Sequence, residues 1–167
     1  MILRSVILIG GVLGGATASQ LPEYSQQYRQ RLGGAVDALA EVVADFDASA
    51  KAEGLSREAA LDQMRGTDFL DRRRADMAGT FDRFVRLQSD IAVLEGAGPF
   101  MRAYHVARSA DAEVAAAALE TFEPAIPLTV AGGIFAGSGF IAGLLAVWAV
   151  LKLLLWPFGR RRVARGA

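Results

Sequence analysis

The sequence predicts an all-α membrane protein in which two transmembrane helices flank an antiparallel helical-hairpin domain. Three observations carry that expectation: an uncharged run of 28 residues from Pro124 to Leu151, an uncharged stretch of 18 residues from Ser5 to Pro22, and a sorting of charge around them. The chain has 167 residues, with 18 basic and 18 acidic side chains that cancel. All 18 acids lie between Glu23 and Glu123, where only 12 basic residues accompany them, so residues 20–124 carry −6. Arg4, Lys152, Arg160, Arg161, Arg162 and Arg165 place +6 on the flanks. A soluble globule rarely segregates charge in this way, whereas cytoplasmic flanks of membrane helices are enriched in Lys and Arg.

The same composition excludes other classes. A hydrophobic content of 53% with zero net charge is not that of a disordered polyelectrolyte. The absence of cysteine removes disulfide scaffolds and thiolate metal sites. A nucleic-acid binder would carry a surplus of basic residues.

Residues 1–20 read as an N-terminal transmembrane anchor. Their apolar stretch, extended to Pro22, makes about 27 Å of helix, barely a span. The alternative is a signal peptide, with Ala16-Thr17-Ala18 as its cleavage site. Glycines at 10/14 and 11/15 weigh for retention, because G-x-x-x-G spacing lets a second helix approach closely in lipid.

Residues 21–124 read as an extracytoplasmic helical-hairpin domain. Pro22 and Glu23 suit a first turn. Tyr28, Leu32, Ala35, Leu39, Val42 and Phe46 then mark a heptad seam to about residue 50. Lys51-Ala52-Glu53-Gly54 breaks it. Ser56 caps a short helix that Gly66 ends, and Asp68 caps a second long helix to about Glu95, with a stripe of Leu70, Met77, Phe84, Leu87, Ile91 and Leu94. Two such helices joined by a connector favour an antiparallel pairing. Gly96-Ala97-Gly98-Pro99 terminates the second arm. Shorter helices are expected over 100–107 and 111–122, followed by a stiff connector around Pro124 and Pro127.

Residues 125–158 read as the second transmembrane helix, with Lys152 positioned to snorkel and with Trp148 and Trp156 at the interface. Residues 159–167 form a basic cytoplasmic tail. Small residues at 133/137 and 139/143 answer those of the first span, which makes Gly10, Gly14, Gly133, Gly137, Gly139 and Gly143 the candidates for helix packing in the membrane.

No catalytic, cofactor-binding or metal site is expected. His105 is the single histidine, and the Gly137-Ser138-Gly139 run lies inside an apolar span without a preceding strand. Arg72, Arg73 and Arg74 are the candidate interaction patch. Set against that role is a solvated helix face with the pairs Asp68–Arg72, Arg72–Asp76, Asp82–Arg86 and Arg86–Asp90, each contributing a few tenths of a kcal/mol. Neither span carries a buried ionisable residue of the kind that proton-coupled transport uses.

The stretch Ser19-Gln20-Leu21-Pro22-Glu23-Tyr24-Ser25-Gln26-Gln27-Tyr28-Arg29-Gln30-Arg31-Leu32-Gly33-Gly34-Ala35 resembles the opening of an uncharacterised family of small proteobacterial inner-membrane proteins with a domain of unknown function. Phe122-Glu123-Pro124-Ala125-Ile126-Pro127-Leu128-Thr129 is similar to that family's closing motif. The resemblance implies an integral inner-membrane protein with a helical middle and brings no activity or cofactor.

The expected role is a non-enzymatic structural, scaffolding or accessory envelope component acting through helix–helix contacts. Both termini would be cytoplasmic and residues 21–124 periplasmic. Its partners would be the lipid bilayer and either a second copy or another membrane protein, with no nucleic acid. Two rival readings stand beside it: a lipid- or stress-responsive regulator using the arginine patch and basic tail, and a membrane enzyme built around Tyr24, Arg31, Tyr104 and His105.

Overall fold

The computed structural model describes residues 2–126 and 128–163, with the side chains of residues 109 and 156–163 outside that description. Every regular element among the described residues is a helix: α1 (Ile2–Ser19), α2 (Leu21–Ala52), α3 (Arg57–Gln63), α4 (Asp68–Glu95), α5 (Pro99–Ser109), α6 (Ala112–Glu120) and α7 (Val130–Val163). They divide into two compact units, one of Met1–Ser25 with Glu123–Ala167, the other of Gln26–Phe122. Helix α2 begins in the first unit and continues into the second.

The first unit is the pair α1 and α7. Each carries an apolar stretch long enough to cross a bilayer, and in α7 no residue of its most apolar 18-residue stretch, within Val130–Leu155, is buried inside the protein. That is the reverse of a core helix in a soluble protein, whose apolar surface is covered. The charged tail Arg160–Arg162 continues helically in α7, its side chains outside the described residues. Pro127, Arg165 and the side chain of Trp156, all singled out above, are outside them too.

The second unit is built on α2 and α4. Phe46 of α2 meets Phe81 of α4 edge-to-face, with ring centroids 5.1 Å apart. Gly33 lies beside Ile91. Residue numbers thus rise along one helix as they fall along the other, and the two run in opposite directions. Tyr28, Leu32, Val43 and Ala50 of α2, Phe81, Leu87 and Leu94 of α4, Ala103 and Val106 of α5, and Val114 and Ala118 of α6 form the buried core.

This core departs from the heptad seam at two places. Val42 is 43% exposed, whereas its neighbour Val43 is 6% exposed. A straight helix turns every 3.6 residues, so its inward face drifts about 20° per heptad from a strict seven-residue repeat. The buried row follows the 11-residue step Leu32 to Val43 instead. On α4, Phe81 enters the core although the sequence stripe passes over it, because it lies four residues after Met77 on the same face.

Chain reversals follow from local chemistry. Gly54 has φ +68°, and Leu55 N–H and Gly54 N–H donate to the carbonyls of Ala50 and Lys51. That is a Schellman ending, which needs the left-handed region that glycine enters without penalty. Ser56 Oγ accepts from Ala59 N–H at the start of α3. The cap of α4 is Thr67 rather than the expected Asp68: its hydroxyl accepts from Leu70 N–H, and Asp68 becomes the first helical residue. Asp111 caps α6 through Val114 N–H.

Candidate functional site

The closest backbone approach in the first unit is between the glycines of α1 and α7. A methyl group added at Gly14 would collide with the carbonyl oxygen of Gly139, and one at Gly143 would collide with the carbonyl oxygen of Gly10. Gly139 in turn lies against Gly14 and the side chain of Ala18. Gly10 also abuts Val147. As residue numbers rise from 10 to 18 in α1, their partners fall from 147 to 139 in α7, so the pair is antiparallel. This sets the Arg4 end of α1 beside the Lys152 end of α7. With no Cβ between them, the backbones come near enough for dispersion and weak Cα–H···O contacts to act along the seam.

Gly10, Gly14, Gly139 and Gly143 are therefore brought together. Gly11 and Gly15 join them, against Leu144, Phe140 and Ala136. Gly133 and Gly137 are elsewhere: open space surrounds both. Gly137 and Gly139 are two residues apart, or about 200° around a helix, so they cannot face one partner.

The other end of this pair is closed by a residue that sequence reasoning passed over. The carboxamide of Gln20 donates to the carbonyl of Ala125 and accepts from its N–H, both at 3.1 Å. One side chain thus satisfies both main-chain polar groups of a connector residue leading into α7. Ser19 Oγ donates to the carbonyl of Ala16 and Ser25 Oγ to that of Pro22. Thr129 Oγ1 accepts from Gly132 N–H and starts α7. A threonine directly before an apolar helical run is a cap signal legible in sequence; the Gln20 clamp has none, since its partner is 105 residues away. Near the opposite end the ammonium of Lys152 sits 4.8 Å from the ring centroid of Trp148.

In the second unit, polar contacts join helices. Arg57 of α3 grips Asp47 of α2 with two hydrogen bonds, Nε to Oδ1 at 2.7 Å and Nη2 to Oδ2 at 2.5 Å, and stacks 4.7 Å from the Phe81 ring centroid. Those hydrogen bonds hold the Asp47 carboxyl below its usual range and raise the guanidinium further. Glu58, in the first turn of α3, is also lowered, by its own backbone N–H and by Ser56. Because the Asp47 pKa falls on folding, the pair's contribution is complete above the unfolded carboxylate value of about 3.9 and is lost as pH drops through the folded one. Asp47→Asn should lower the melting temperature at pH 7, and the gap from the native protein should close below about pH 4. Thermal melts at the two pH values check this.

Arg102 holds the α4–α5 corner by donating to the carbonyls of Leu94 and Ala97 and to Gln26 of α2. Tyr28 Oη accepts from Asp111 N–H at 3.0 Å, and Arg83 of α4 pairs with Asp111 and Glu113.

The three arginines of the triplet have different surroundings. Arg73 pairs with Asp76 and Arg74 leans toward Asp62 at 3.9 Å, while Arg72 is exposed without an ion pair among the described residues. The anticipated pairs of Arg72 and Arg86 do not form. A heptad repeat would have turned Arg74 toward the core, and its half-buried position with Asp62 within reach is the compromise. Arg31 and His105 also part company. Arg31 lines a groove of about 540 Å³ with Gln30, Gly34, Arg83, Glu113 and Ala117, whereas His105 lines a hollow of about 230 Å³ with Tyr28, Asp90, Val93 and Val106. Among the described residues no three His, Asp or Glu side chains gather as a metal site would require.

A family model described as "Protein of unknown function (DUF2937)" matches residues 2–160. No curated protein and no solved structure matches the chain.

Proposed function

The chain belongs to the DUF2937 family of proteins of unknown function, and from that premise we propose that it is an integral protein of a proteobacterial inner membrane, spanning it through α1 and α7. In this reading it is a non-enzymatic structural or accessory component of the envelope. It acts through helix–helix contacts, with both termini cytoplasmic and residues 21–124 in the periplasm.

The observation that carries the reading is the glycine seam. In water, two helices gain from burying large apolar side chains against each other. Here the helices meet through glycines and leave Leu8, Ile9, Val12, Leu13, Ile134, Ile141 and Leu145 outward. Such a surface is costly in water and ordinary in lipid, where close backbone packing holds helices together. The seam also supports retention of α1, because cleavage after Ala18 would strip α7 of the partner its glycines fit. The antiparallel arrangement puts Arg4 and Lys152 at one end, as cytoplasmic termini require.

Crosslinking in native membranes tests the role. An accessory protein should give discrete crosslinked species, with itself or another membrane protein, that disappear when the seam is disrupted. Monomer alone, with the seam intact, would overturn the proposal.

A further inference from the structure

Helix α5 (Pro99–Ser109) differs from the rest of its unit. It carries Arg102 and Arg108 and no acidic residue, within a segment whose net charge is −6. Ala103 and Val106 point into the core, and Arg102 is bound to backbone carbonyls on that side. Phe100, Met101 and Tyr104 are about half exposed, at 46%, 51% and 51%. With 100° between successive residues, these three and Arg108 fall within one arc of about 100°. Arg108 Nη1 reaches Tyr104 Oη at 3.4 Å, so cation and aromatic tip stand together.

We propose that the outer face of α5 is a membrane-interface contact that lays Phe100, Met101 and Tyr104 into an anionic phospholipid leaflet, with Arg108 at the headgroup phosphates. Interfacial helices combine an apolar face containing aromatic residues with cations at its border, and they gain from anionic lipid. Charge complementarity selects the occupant. An acid-free cationic helix in an otherwise acidic unit is drawn to an anionic bilayer, while the rest of that unit is repelled. The proposal rests on the membrane-spanning reading above, which keeps the bilayer within reach.

The absence of native cysteine permits a direct test. Met101→Cys, Tyr104→Cys and, as a control, Gln63→Cys are each spin-labelled in the full-length protein. The protein is reconstituted into phosphatidylethanolamine–phosphatidylglycerol vesicles, and label depth is read from collisions with oxygen and with a water-soluble nickel chelate. Labels at 101 and 104 should lie roughly 5–10 Å into the headgroup and acyl boundary, and the label at 63 should remain in water. Arg108→Gln should make the first two shallower. Aqueous labels at 101 and 104 in protein that floats with the vesicles would overturn this proposal alone. Shielding from both reagents with spin–spin broadening would overturn it in favour of contact between copies. Failure to float would overturn it together with the spanning reading.

Discussion

Gly14→Ile should separate α1 from α7. The side chain would enter the space of the Gly139 carbonyl, and backbone on both sides leaves nothing flexible to give way. Overpacking commonly costs about 1–3 kcal/mol; with backbone as the obstacle the expected loss is at the top of that range, about 3 kcal/mol. Gly143→Ile should match it, since its obstacle is the Gly10 carbonyl. Gly133→Ile and Gly137→Ile are the controls: open space at both positions predicts no loss of the pair. Melting temperature in mild detergent checks the contrast, and equal effects at Gly14 and Gly137 would contradict the assigned faces.

Phe81→Ala should produce the largest loss in the second unit. Phe81 is 7% exposed, pairs edge-to-face with Phe46 and lies beneath the Arg57 guanidinium. Its removal loses buried area, an aromatic pair and a cation–π contact where α2, α3 and α4 meet. Truncation of a buried phenylalanine costs about 3–5 kcal/mol, a large part of the roughly 5–15 kcal/mol that holds a typical domain folded. Phe81→Leu keeps most of the volume and should cost clearly less. Denaturant unfolding of the full chain, followed by far-ultraviolet circular dichroism, measures both.

How much of this was legible in the sequence varied with the range of the interaction. Uncharged length and helical spacing are local, so the long apolar helices and the breaks at Gly54, Gly66 and Gly96 could be read directly. The G-x-x-x-G rows at 10/14 and 139/143 were also visible. What a spacing rule cannot tell is which of two glycine rows on one helix faces its neighbour, and 133/137 carries the same pattern while facing open space. Val43 replaced Val42, and Phe81 entered the core, because a straight helix drifts from a strict heptad. Thr67 and Asp68 are adjacent residues that can each cap a helix, Asp on average the better, and the entry geometry of α4 decided for Thr67. The Gln20–Ala125 clamp joins distant parts of the chain and leaves no local mark.

The central claim is that α1 is retained and that α1 and α7 cross one bilayer with the helical domain on its outer side. Single cysteines at Gln63 and Ile2, probed with a membrane-impermeant maleimide, test it most directly. In intact spheroplasts Gln63→Cys should label fully, and Ile2→Cys should label only after the membrane is permeabilised. Loss of the Ile2 cysteine from the mature protein, or labelling of both positions from the same side, would contradict the account.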